Sequence, residues 1–477
     1  MANSRRSSRA ARERTPALAV RFERQLRAVV KPGDRVLVGL SGGLDSMVLL
    51  DLLQRVAARC RIRLAVLHVN HQLSPNAGGW ETFCRRACHD RAIPFRSVHV
   101  DIPRGSGLEA GARAARYAAL LSQPVELVAL AHHQDDQCET VLLQLLRGAG
   151  VRGLAGMPLV RGGEAGGERR EVSHAMRLTS DASRPTPHVL RPLLDVPRVE
   201  LERYARRRHL KWIEDESNLD TRFARNFLRH ELFPALEKRL PSYRATLTRS
   251  ARHLAEAAQL LDELAELDAQ GVLREGALAA GGLSGLPPAR ARNLLRWFLA
   301  RHGAAMPSTE RLDEALRQIR RARNDAKIKV EIAGHELYCW KGGIHLVPKR
   351  PPAVPLVRKW RHQLRLALPE LGGMLVFAKG RGAGISLDRL NAATVTLRSR
   401  VGGERLQPDC RRPRRTVKNL LQEREIPPWL RARIPLLYCG KELVWVAGLG
   451  IDCAWQARAR EPSLAPRWLG GGAGDVG

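Results

Sequence analysis

Four short apolar segments, separated by segments with helical spacing, dominate the first third of the chain. They occupy residues 36–40, 64–69, 95–100 and 125–131; three of them are nearly continuous apolar runs, whereas 95–100 also contains Arg96, Ser97 and His99. Runs of this kind are typical of parallel strands covered by helices on both faces. The pattern therefore predicts an α/β domain with a doubly wound parallel sheet, where ligands bind at the carboxyl ends of the strands.

The pattern changes after residue 231, where the sheet domain predicted over 31–231 ends. Apolar side chains then recur at three- and four-residue spacing, as at Leu254, Ala257 and Leu261, and they predict a mainly helical domain over 232–347. Short alternating segments return near its end, and a proline-rich linker covers 348–355. The remaining periodic sequence predicts a small, basic α+β domain over 356–460.

Three segments lack this periodicity, and we expect them to have no fixed structure. The first is a basic arm over residues 1–30, for which an organellar transit peptide is the alternative interpretation. The second is a flexible insertion over 161–188, rich in Gly, Arg, Ser and Pro. The third is a tail over 461–477.

The charge balance indicates the kind of partner. The chain has 80 Lys and Arg residues against 48 Asp and Glu residues, a formal charge of +32. Such an excess predicts salt-sensitive attraction to nucleic-acid phosphates, although a general arginine bias is the alternative. No apolar run reaches the roughly 18 to 20 residues that span a bilayer, and the N-terminus lacks the apolar core of a secretory signal. We therefore expect a cytoplasmic protein without a membrane partner.

The eight cysteines contain no CxxC pair. Cys84 and Cys88 are spaced like one face of a helix and are followed by His89, so a zinc site is one interpretation. Two buried thiols of a reduced protein are the interpretation that we favour.

The first predicted strand leads into a glycine turn that carries candidate chemistry. Its residues are Ser41, Gly42, Gly43, Leu44, Asp45 and Ser46. Glycine lets the backbone approach an anion, and the free N–H groups of the following helix attract it, so the turn predicts a phosphate cradle. A simple helix-capping turn is the alternative. The lysine of the GxxxxGK[ST] loop is absent, which indicates a different phosphate chemistry in which Asp45 holds Mg²⁺.

A second polar turn follows the fourth predicted strand and precedes a helix. It contains His132, His133, Asp135 and Asp136. Capping explains one carboxylate at a helix start, but it does not explain the two imidazoles beside it. A carboxylate here would complete a Mg²⁺ site with Asp45, and a neutral histidine would contact the nucleotide or act as a base. His68, at the end of the second strand, is expected at the same edge as a nucleotide contact.

The glycine turn resembles the SGGxDS signature of the PP-loop ATP pyrophosphatases, and the histidine turn, followed by Glu139 and Thr140, resembles their His-His-x-Asp-Asp pattern. These enzymes cleave ATP between the α and β phosphates and activate an oxygen as its adenylate. The resemblance implies ATP and Mg²⁺ as cofactors. It also implies catalytic or metal-binding roles for Asp45, His133 and Asp136, and a place for Glu139 near the second substrate.

Two arginines, Arg113 and Arg116, lie one turn apart on the helix predicted after the third strand. This helix is similar to the one that carries Glu-x-x-x-Arg-x-x-Arg-Tyr in the same superfamily. A guanidinium group binds phosphate bidentately, so we expect Arg113 to stabilise the departing pyrophosphate. The alternative is a surface ion pair between Glu109 and Arg113 at i,i+4 spacing.

Motifs further along resemble the bacterial tRNA(Ile)-lysidine synthetase family. They lie at 147–157, 215–226, 401–406, 416–423 and 426–431. The resemblance implies that lysine is joined to carbon 2 of the wobble cytidine in the CAU anticodon of an isoleucine tRNA. The reaction proceeds through an adenylated tRNA, releases AMP and pyrophosphate, and changes the specificity from methionine to isoleucine. The residues implied to bind tRNA are Arg222, Arg225, Arg400, Arg405, Arg415 and Lys418, for which a solvated basic surface is the alternative.

Two other function classes stay open at this point. One is a different adenylating enzyme, either a tRNA thiolase, which the missing CxxC disfavours, or an amidating synthetase, which the missing glutaminase half disfavours. The other is a non-catalytic tRNA-binding relative, which the intact Asp45 and Asp136 disfavour. The oligomeric state, with a homodimer as one option, and the residues that bind lysine are not predicted.

Overall fold

The computed structural model describes residues 17–72, 74–101, 108–162, 187–214, 216, 220–274, 276–321, 328–332, 334–352 and 354–470. These residues form two compact units. Those up to 321, with 332, 334 and 342–346, make the first unit, and the others make the second. None of the helices in these ranges is long and apolar enough to cross a bilayer. Most of the predicted insertion over 161–188 lies outside the described residues.

The first unit is built on a six-stranded sheet. Its strands are β1 (Arg35–Gly39), β2 (Arg63–Asn70), β3 (Phe95–His99), β4 (Leu127–Ala129), β5 (Val160–Arg161) and β6 (His188–Leu190). The order is β3-β2-β1-β4-β6-β5, with β5 antiparallel to β6 and every other pair parallel. This order confirms the predicted doubly wound sheet. Since the order reverses between β1 and β4, their carboxyl ends open the crevice in which such sheets bind ligands.

Helices flank this sheet and continue beyond it. They are α1 (Leu18–Arg27), α2 (Leu44–Cys60), α3 (Ala77–His89), α4 (Leu108–Leu121), α5 (Gln134–Leu146), α6 (Val151–Leu154), α7 (Arg198–Arg207), α8 (Ala224–Phe227), α9 (Phe233–Arg239), α10 (Tyr243–Gln270), α11 (Ala280–Gly285), α12 (Pro288–Arg301) and α13 (Thr309–Arg321). A π-helical turn, Leu228–Leu232, joins α8 to α9. The predominance of helix from α9 to α13 agrees with the spacing seen in the sequence.

Helix α1 corrects one prediction. Disorder was expected over residues 1–30, and residues 1–16 lie outside the described ranges, but Leu18–Arg27 is helical. Leu18, Phe22 and Leu26 recur every four residues and are at most 4% exposed. The prediction is wrong for this helix because its apolar stripe packs into the core of the sheet domain.

Beyond α10 the chain forms short strands. They are β7 (Leu273–Arg274), β8 (Ala277–Ala279), β9 (Ile328–Ile332), β10 (His335–Trp340), β11 (Gly343–Pro348), β12 (Val357–Lys359), β13 (Arg365–Leu368), β14 (Gly373–Arg381), β15 (Ile385–Ser386), β16 (Val395–Arg398), β17 (Arg405–Leu406), β18 (Arg415–Thr416), β19 (Leu436–Cys439), β20 (Glu442–Val446), β21 (Gly450–Ile451) and β22 (Pro462–Gly470). Three helices accompany them, α14 (Leu387–Leu390), α15 (Val417–Glu423) and α16 (Pro428–Arg431).

The second unit contains the predicted small α+β domain. Its sheets have the orders β12-β16-β19-β20-β21, β13-β14-β22-β15 and β17-β18. Strand β22 pairs with β14 along its whole length, so the tail predicted to be disordered over 461–477 is ordered in Pro462–Gly470. The prediction is wrong there because Leu464 and Trp468 are buried in the core of the unit.

The cysteines fall into two groups. Six are free and buried, and among them Cys84 and Cys88 lie inside α3 with no exposure. Burial raises the pKa of these two thiols to about 12 and about 11. The side chain of His89 is 88% exposed, and the described part of the chain holds no cluster of three metal-binding residues, so the buried-thiol interpretation fits better than zinc. Cys410 and Cys453 form a disulfide with a Cα–Cα distance of 5.5 Å, which the sequence analysis did not anticipate.

The disulfide leads to a stability prediction. It closes a loop of 43 residues, and cross-links of this kind stabilise folded proteins by about 2 to 4 kcal/mol. We expect Cys410→Ser to lower the free energy of unfolding of the second unit by that amount, measured by urea denaturation of the oxidised protein. With dithiothreitol present, wild type and variant should unfold at the same urea concentration. A difference that persists after reduction would contradict a role for the bond.

Candidate active site

The glycine turn lies between β1 and α2. Gly42 has a φ of +88°, and a Cβ added there would meet the Cδ1 atom of Ile213 at 2.9 Å and the Sγ atom of Cys84 at 3.1 Å. The backbone N–H of Ile213 donates to the carbonyl of Gly42 at 3.0 Å. Glycine is therefore required at this position by both its conformation and its neighbours.

The first turn of α2 presents polar groups beside this glycine. Ser46 donates its hydroxyl proton to the carbonyl of Gly43 at 2.9 Å, and its Oγ atom lies 3.1 Å from that of Ser41. Gly43 is the N-cap residue of the helix and provides no capping side chain. The free N–H groups of a 17-residue helix thus point into the turn beside Asp45, as the predicted phosphate cradle requires.

The histidine turn places its imidazole next to Asp45. His133 is the N-cap residue of α5, and its backbone N–H donates to Asp136 at 3.0 Å. The Nε2 atom of His133 lies 3.5 Å from a carboxylate oxygen of Asp45 and 3.5 Å from one of Asp136. The carboxyl ends of β1 and β4 therefore bring together Asp45, His133 and Asp136, which the sequence had placed in one site.

The electrostatics of this triplet are strongly coupled. Burial lowers the pKa of His133, but Asp136, Asp45 and Asp135 outweigh it and raise the value to about 9. Burial raises the pKa of Asp136, but the two histidines of the turn and Arg229 lower it to about 2. In the absence of ligands, a protonated His133 therefore neutralises part of the charge of two ionised carboxylates.

Asp135 has a different environment from Asp136. It accepts a hydrogen bond from the backbone of Arg198 at 2.9 Å and one from the guanidinium of Arg244 at 2.6 Å. These bonds tie the start of α5 to α7 and α10. Asp135 also lines the cleft, whereas Asp136 is buried against His133 and Arg229, which line it.

Glu139 pairs with an arginine that the sequence analysis did not select. Glu139 has no exposure, and it receives bidentate hydrogen bonds from Arg229, which also donates to Asp136 at 2.8 Å. Burial raises the pKa of Glu139, and the guanidinium offsets part of that rise. Arg229 sits in the π-helical turn, and such turns often occur at functional sites. The sequence contains one indication of this arginine, since Arg222, Arg225 and Arg229 follow the polar residues 214–220 at helical spacing.

The donor set fits a magnesium ion bound together with phosphates. The buried Oδ1 atom of Asp45 has no hydrogen-bond partner among the described residues. Asp136 is less available, because its oxygens accept from Arg229 and from the backbone of His133. Magnesium is usually held by one or two carboxylates, with water and substrate phosphates as further ligands, so Asp45 is the better protein ligand of the two.

An open cleft of about 1320 Å³ lies at this edge of the sheet. It is lined by the glycine turn, His133, Arg229 and also by His68. The Nδ1 atom of His68 lies 2.9 Å from the carbonyl of Leu40, which places the proton on Nδ1. The imidazole is thus fixed at the carboxyl end of β2, where the sequence predicted a nucleotide contact.

The remaining predicted residues lie in varied surroundings. Arg113 packs on the ring of Tyr117 and has no ion pair with the cleft carboxylates among the described residues. Arg225 lines the cleft, whereas the side chain of Arg222 is 89% exposed and binds Asp220. In the second unit, Arg405 and Lys418 are exposed, Arg415 pairs with Glu423 at 2.6 Å, and the Arg400 side chain is only 17% exposed beside Glu404. Their roles stay predictions.

Comparison with known proteins places the chain in a family. A PP-loop domain model matches residues 18–236, a TilS substrate binding domain model matches 278–345, and a TilS substrate C-terminal domain model matches 395–468. The chain is 45% identical to tRNA(Ile)-lysidine synthase of Nitrosomonas europaea, covering 94% of each protein. It is 41% identical to the protein of the same name from Azoarcus sp. strain BH72, covering 96% of this chain and 97% of that one.

Solved structures resemble the chain less closely. The U34-tRNA thiolase NcsA from Methanococcus maripaludis covers 49% of this chain and 78% of its own, with 19% identity and a TM-score of 0.39. The sequence relatives decide the assignment, because they match along nearly the whole length. The chain belongs to the tRNA(Ile)-lysidine synthase family.

Proposed function

We propose that this protein joins L-lysine to carbon 2 of the wobble cytidine in the CAU anticodon of tRNA(Ile), using ATP and releasing AMP and pyrophosphate. The observation that carries the proposal is the convergence of Asp45, His133 and Asp136 beside the glycine turn. It occurs in a chain that matches lysidine synthases along nearly its whole length.

The glycine turn and the N-terminus of α2 would bind the phosphates of ATP. The backbone N–H groups are fixed before the nucleotide arrives, so no reorganisation is needed as negative charge moves onto the departing pyrophosphate. Asp45 and Asp136 would hold Mg²⁺, which neutralises phosphate charge when it is bound. The pKa of His133 is raised to about 9, so its proton offsets part of the charge of these two carboxylates.

The reaction needs no covalent enzyme nucleophile. The cytidine oxygen becomes a leaving group once it carries AMP, and the amine of lysine can then displace AMP, so positioning and charge neutralisation suffice. No cysteine lines the described part of the cleft, and Cys84, which packs beside Gly42, is kept neutral by a pKa of about 12. A thiol-carrier mechanism of the thiolase type is therefore disfavoured.

The carboxylates near Arg229 suit the second substrate. Glu139 and Asp136 share this one guanidinium, and Asp45 and Asp136 share the proton of His133, so the three carboxylates outnumber the two cations and would attract the ammonium groups of lysine. The basic residues of the second unit, among them Arg405 and Lys418, would contact tRNA phosphates.

A labelling experiment tests the proposal. The protein is incubated with ATP, Mg²⁺ and radiolabelled lysine, together with a tRNA(Ile) transcript that carries the CAU anticodon. We expect label in this tRNA in a 1:1 ratio to AMP, and none in the elongator methionine tRNA, which shares the anticodon. Absence of label from both tRNAs under conditions in which the isoleucine tRNA binds would refute the proposed activity.

A further inference from the structure

The disulfide of the second unit joins the two cysteines of the chain that are not buried. Cys410 is exposed and Cys453 is half-buried, whereas the six free cysteines are at most 6% exposed. Disulfides are rare in reducing compartments, and those that occur there are mostly transient or redox-sensing. The proposed modification of tRNA belongs to such a compartment, and exposed disulfides are the ones that thiols reduce most readily. This bond therefore has the surroundings of a redox-sensing pair.

Cys410 lies in the loop that connects β17 to β18, residues 407–414. The buried carboxylate of Asp452 fixes both ends of this loop. It accepts a hydrogen bond from the backbone N–H of Gln407 at 3.0 Å and another from the guanidinium of Arg414 at 2.9 Å. The base of the loop is thus held in place without help from the disulfide.

The loop tip, residues 409–413, depends on the disulfide instead. All five of these residues are exposed. Asp409 accepts from the backbone N–H of Arg411 at 2.9 Å and lies 3.6 Å from the guanidinium of Arg412, so these contacts stay inside the loop. In the part of the chain that the structure describes, no hydrogen bond or ion pair joins the loop tip to residues outside the loop. Apart from the chain itself, the disulfide is its one bonded attachment.

The loop tip is cationic. Arg411 forms no ion pair with a carboxylate of the described ranges, and the Arg412 side chain is 72% exposed. The nearby Arg405 and Lys418 are also exposed, and both are proposed to contact tRNA phosphates. The loop tip therefore adds two guanidinium groups to this surface, and the disulfide fixes their position.

We infer that Cys410 and Cys453 form a thiol–disulfide switch site that reacts with a dithiol or a low-molecular-mass thiol, and that the oxidised form binds tRNA more tightly. This inference rests on the proposed function, because the phosphates belong to tRNA. A loop that is fixed before binding loses less conformational entropy when it meets its ligand. Reduction frees the loop tip while Asp452 keeps the base in place, so the change is local.

The exchange reaction balances with the named thiol as its one co-reactant. The thiolate of the reductant attacks the exposed Sγ atom of Cys410, a mixed disulfide forms, and Cys453 leaves as a thiolate. A second thiol of the reductant then attacks the mixed disulfide and releases Cys410. Two electrons and two protons pass from the reductant to the pair, which becomes two thiols, and the reductant becomes a disulfide. An oxidised thiol reverses these steps.

The first test measures the redox state of the pair in the full-length protein. The protein is equilibrated with reduced and oxidised glutathione at different ratios, alkylated with N-ethylmaleimide under native conditions, and analysed by peptide mass spectrometry. We expect Cys410 and Cys453 to be alkylated when reduced glutathione is in large excess and to be joined when oxidised glutathione predominates. The six buried cysteines should stay unmodified in both cases.

The second test measures the dissociation constant for the tRNA(Ile) transcript at several salt concentrations. We expect reduction to weaken binding about 5- to 30-fold, the factor for ordering the backbone of one further residue on binding. The slope of log affinity against log salt should fall by about 0.7 to 0.9 for each phosphate contact that is lost. Cys410→Ser/Cys453→Ser should match the reduced wild type in either buffer. The affinity for ATP with Mg²⁺ should not change, because the glycine turn lies in the first unit.

Arginine variants separate the switch from a general loss of structure. Arg411→Met/Arg412→Met should bind tRNA weakly in both redox states, because it removes the groups that the disulfide positions. Its matched control is Arg361→Met/Arg381→Met, which removes the same charge from exposed positions elsewhere in the second unit and should keep the response to reduction. Thermal unfolding verifies that each variant is folded.

Three results would overturn the inference. The first is a tRNA affinity that reduction leaves unchanged or raises. The second is an Arg411→Met/Arg412→Met variant that responds to reduction as strongly as wild type. The third is a pair that stays in one redox state across the whole glutathione series. Lysidine formation is measured separately: its absence in a protein whose tRNA affinity follows the redox state would refute the proposed activity and support the switch.

Discussion

Asp45→Asn is expected to lower tRNA-dependent AMP release by at least about 10³-fold, equivalent to roughly 4 kcal/mol of transition-state stabilisation. The Oδ1 atom of Asp45 is buried without a hydrogen-bond partner among the described residues, and the other oxygen lies 3.5 Å from His133. An asparagine side chain could fill the same structural role, so the substitution should leave the fold intact. The loss should therefore appear in the rate of adenylation. We expect tRNA affinity, measured by filter binding, to stay within about twofold.

A suitable control is Asp90→Asn at the end of α3, which removes the same charge from a side chain that is 61% exposed. Its AMP release should equal that of wild type. If Asp45→Asn instead loses tRNA binding and retains AMP release per bound tRNA, the assignment of Asp45 to ATP and Mg²⁺ is wrong.

Arg229→Met is expected to lower both stability and activity. Removing this guanidinium leaves Glu139, which has no exposure, without its bidentate partner, and breaking a buried ion pair in this way costs about 3 to 5 kcal/mol. Protonation of Glu139 reduces this cost. Urea denaturation should show the loss in the first unit, and lysidine formation should fall by at least about 10²-fold.

The double variant Arg229→Met/Glu139→Gln separates the two effects. It removes the unpaired charge, so the free energy of unfolding should recover by about 2 kcal/mol over that of Arg229→Met alone. Activity should not recover, because the group proposed to attract lysine is gone. Recovery of both stability and activity would show that the pair only supports the fold.

The prediction from sequence succeeded where the signal was local. Apolar runs that are buried on both sides specify parallel strands, and Gly42 at a φ of +88° marks a turn that few other residues could form. The prediction of disorder was wrong at Leu18–Arg27 and Pro462–Gly470. In each segment three or fewer apolar side chains dock into a core, and they stand among basic or glycine-rich neighbours. Whether such a stripe is ordered depends on a partner surface far away in the sequence.

Arg229 and Arg191 illustrate the other limit. Nothing in the local sequence separates Arg191 from the other basic residues of the chain, and the helical spacing of Arg222, Arg225 and Arg229 does not show which carboxylates lie near Arg229. Arg229 faces Glu139 across 90 residues, whereas Arg191 meets Tyr117 across 74 residues and no carboxylate among the described residues.

The sequence by itself determined the class of the sheet and predicted the phosphate-binding turn with Asp45, because these depend on short-range spacing. The roles predicted for His133, Asp136 and Glu139 also used the resemblance of their turn to a known pattern. Only the tertiary structure decided that Asp135 binds the backbone of Arg198 and the side chain of Arg244, and that Arg229 bridges Asp136 and Glu139. Those distinctions depend on distances and burial between segments that are separated along the chain, and such quantities exist only after folding.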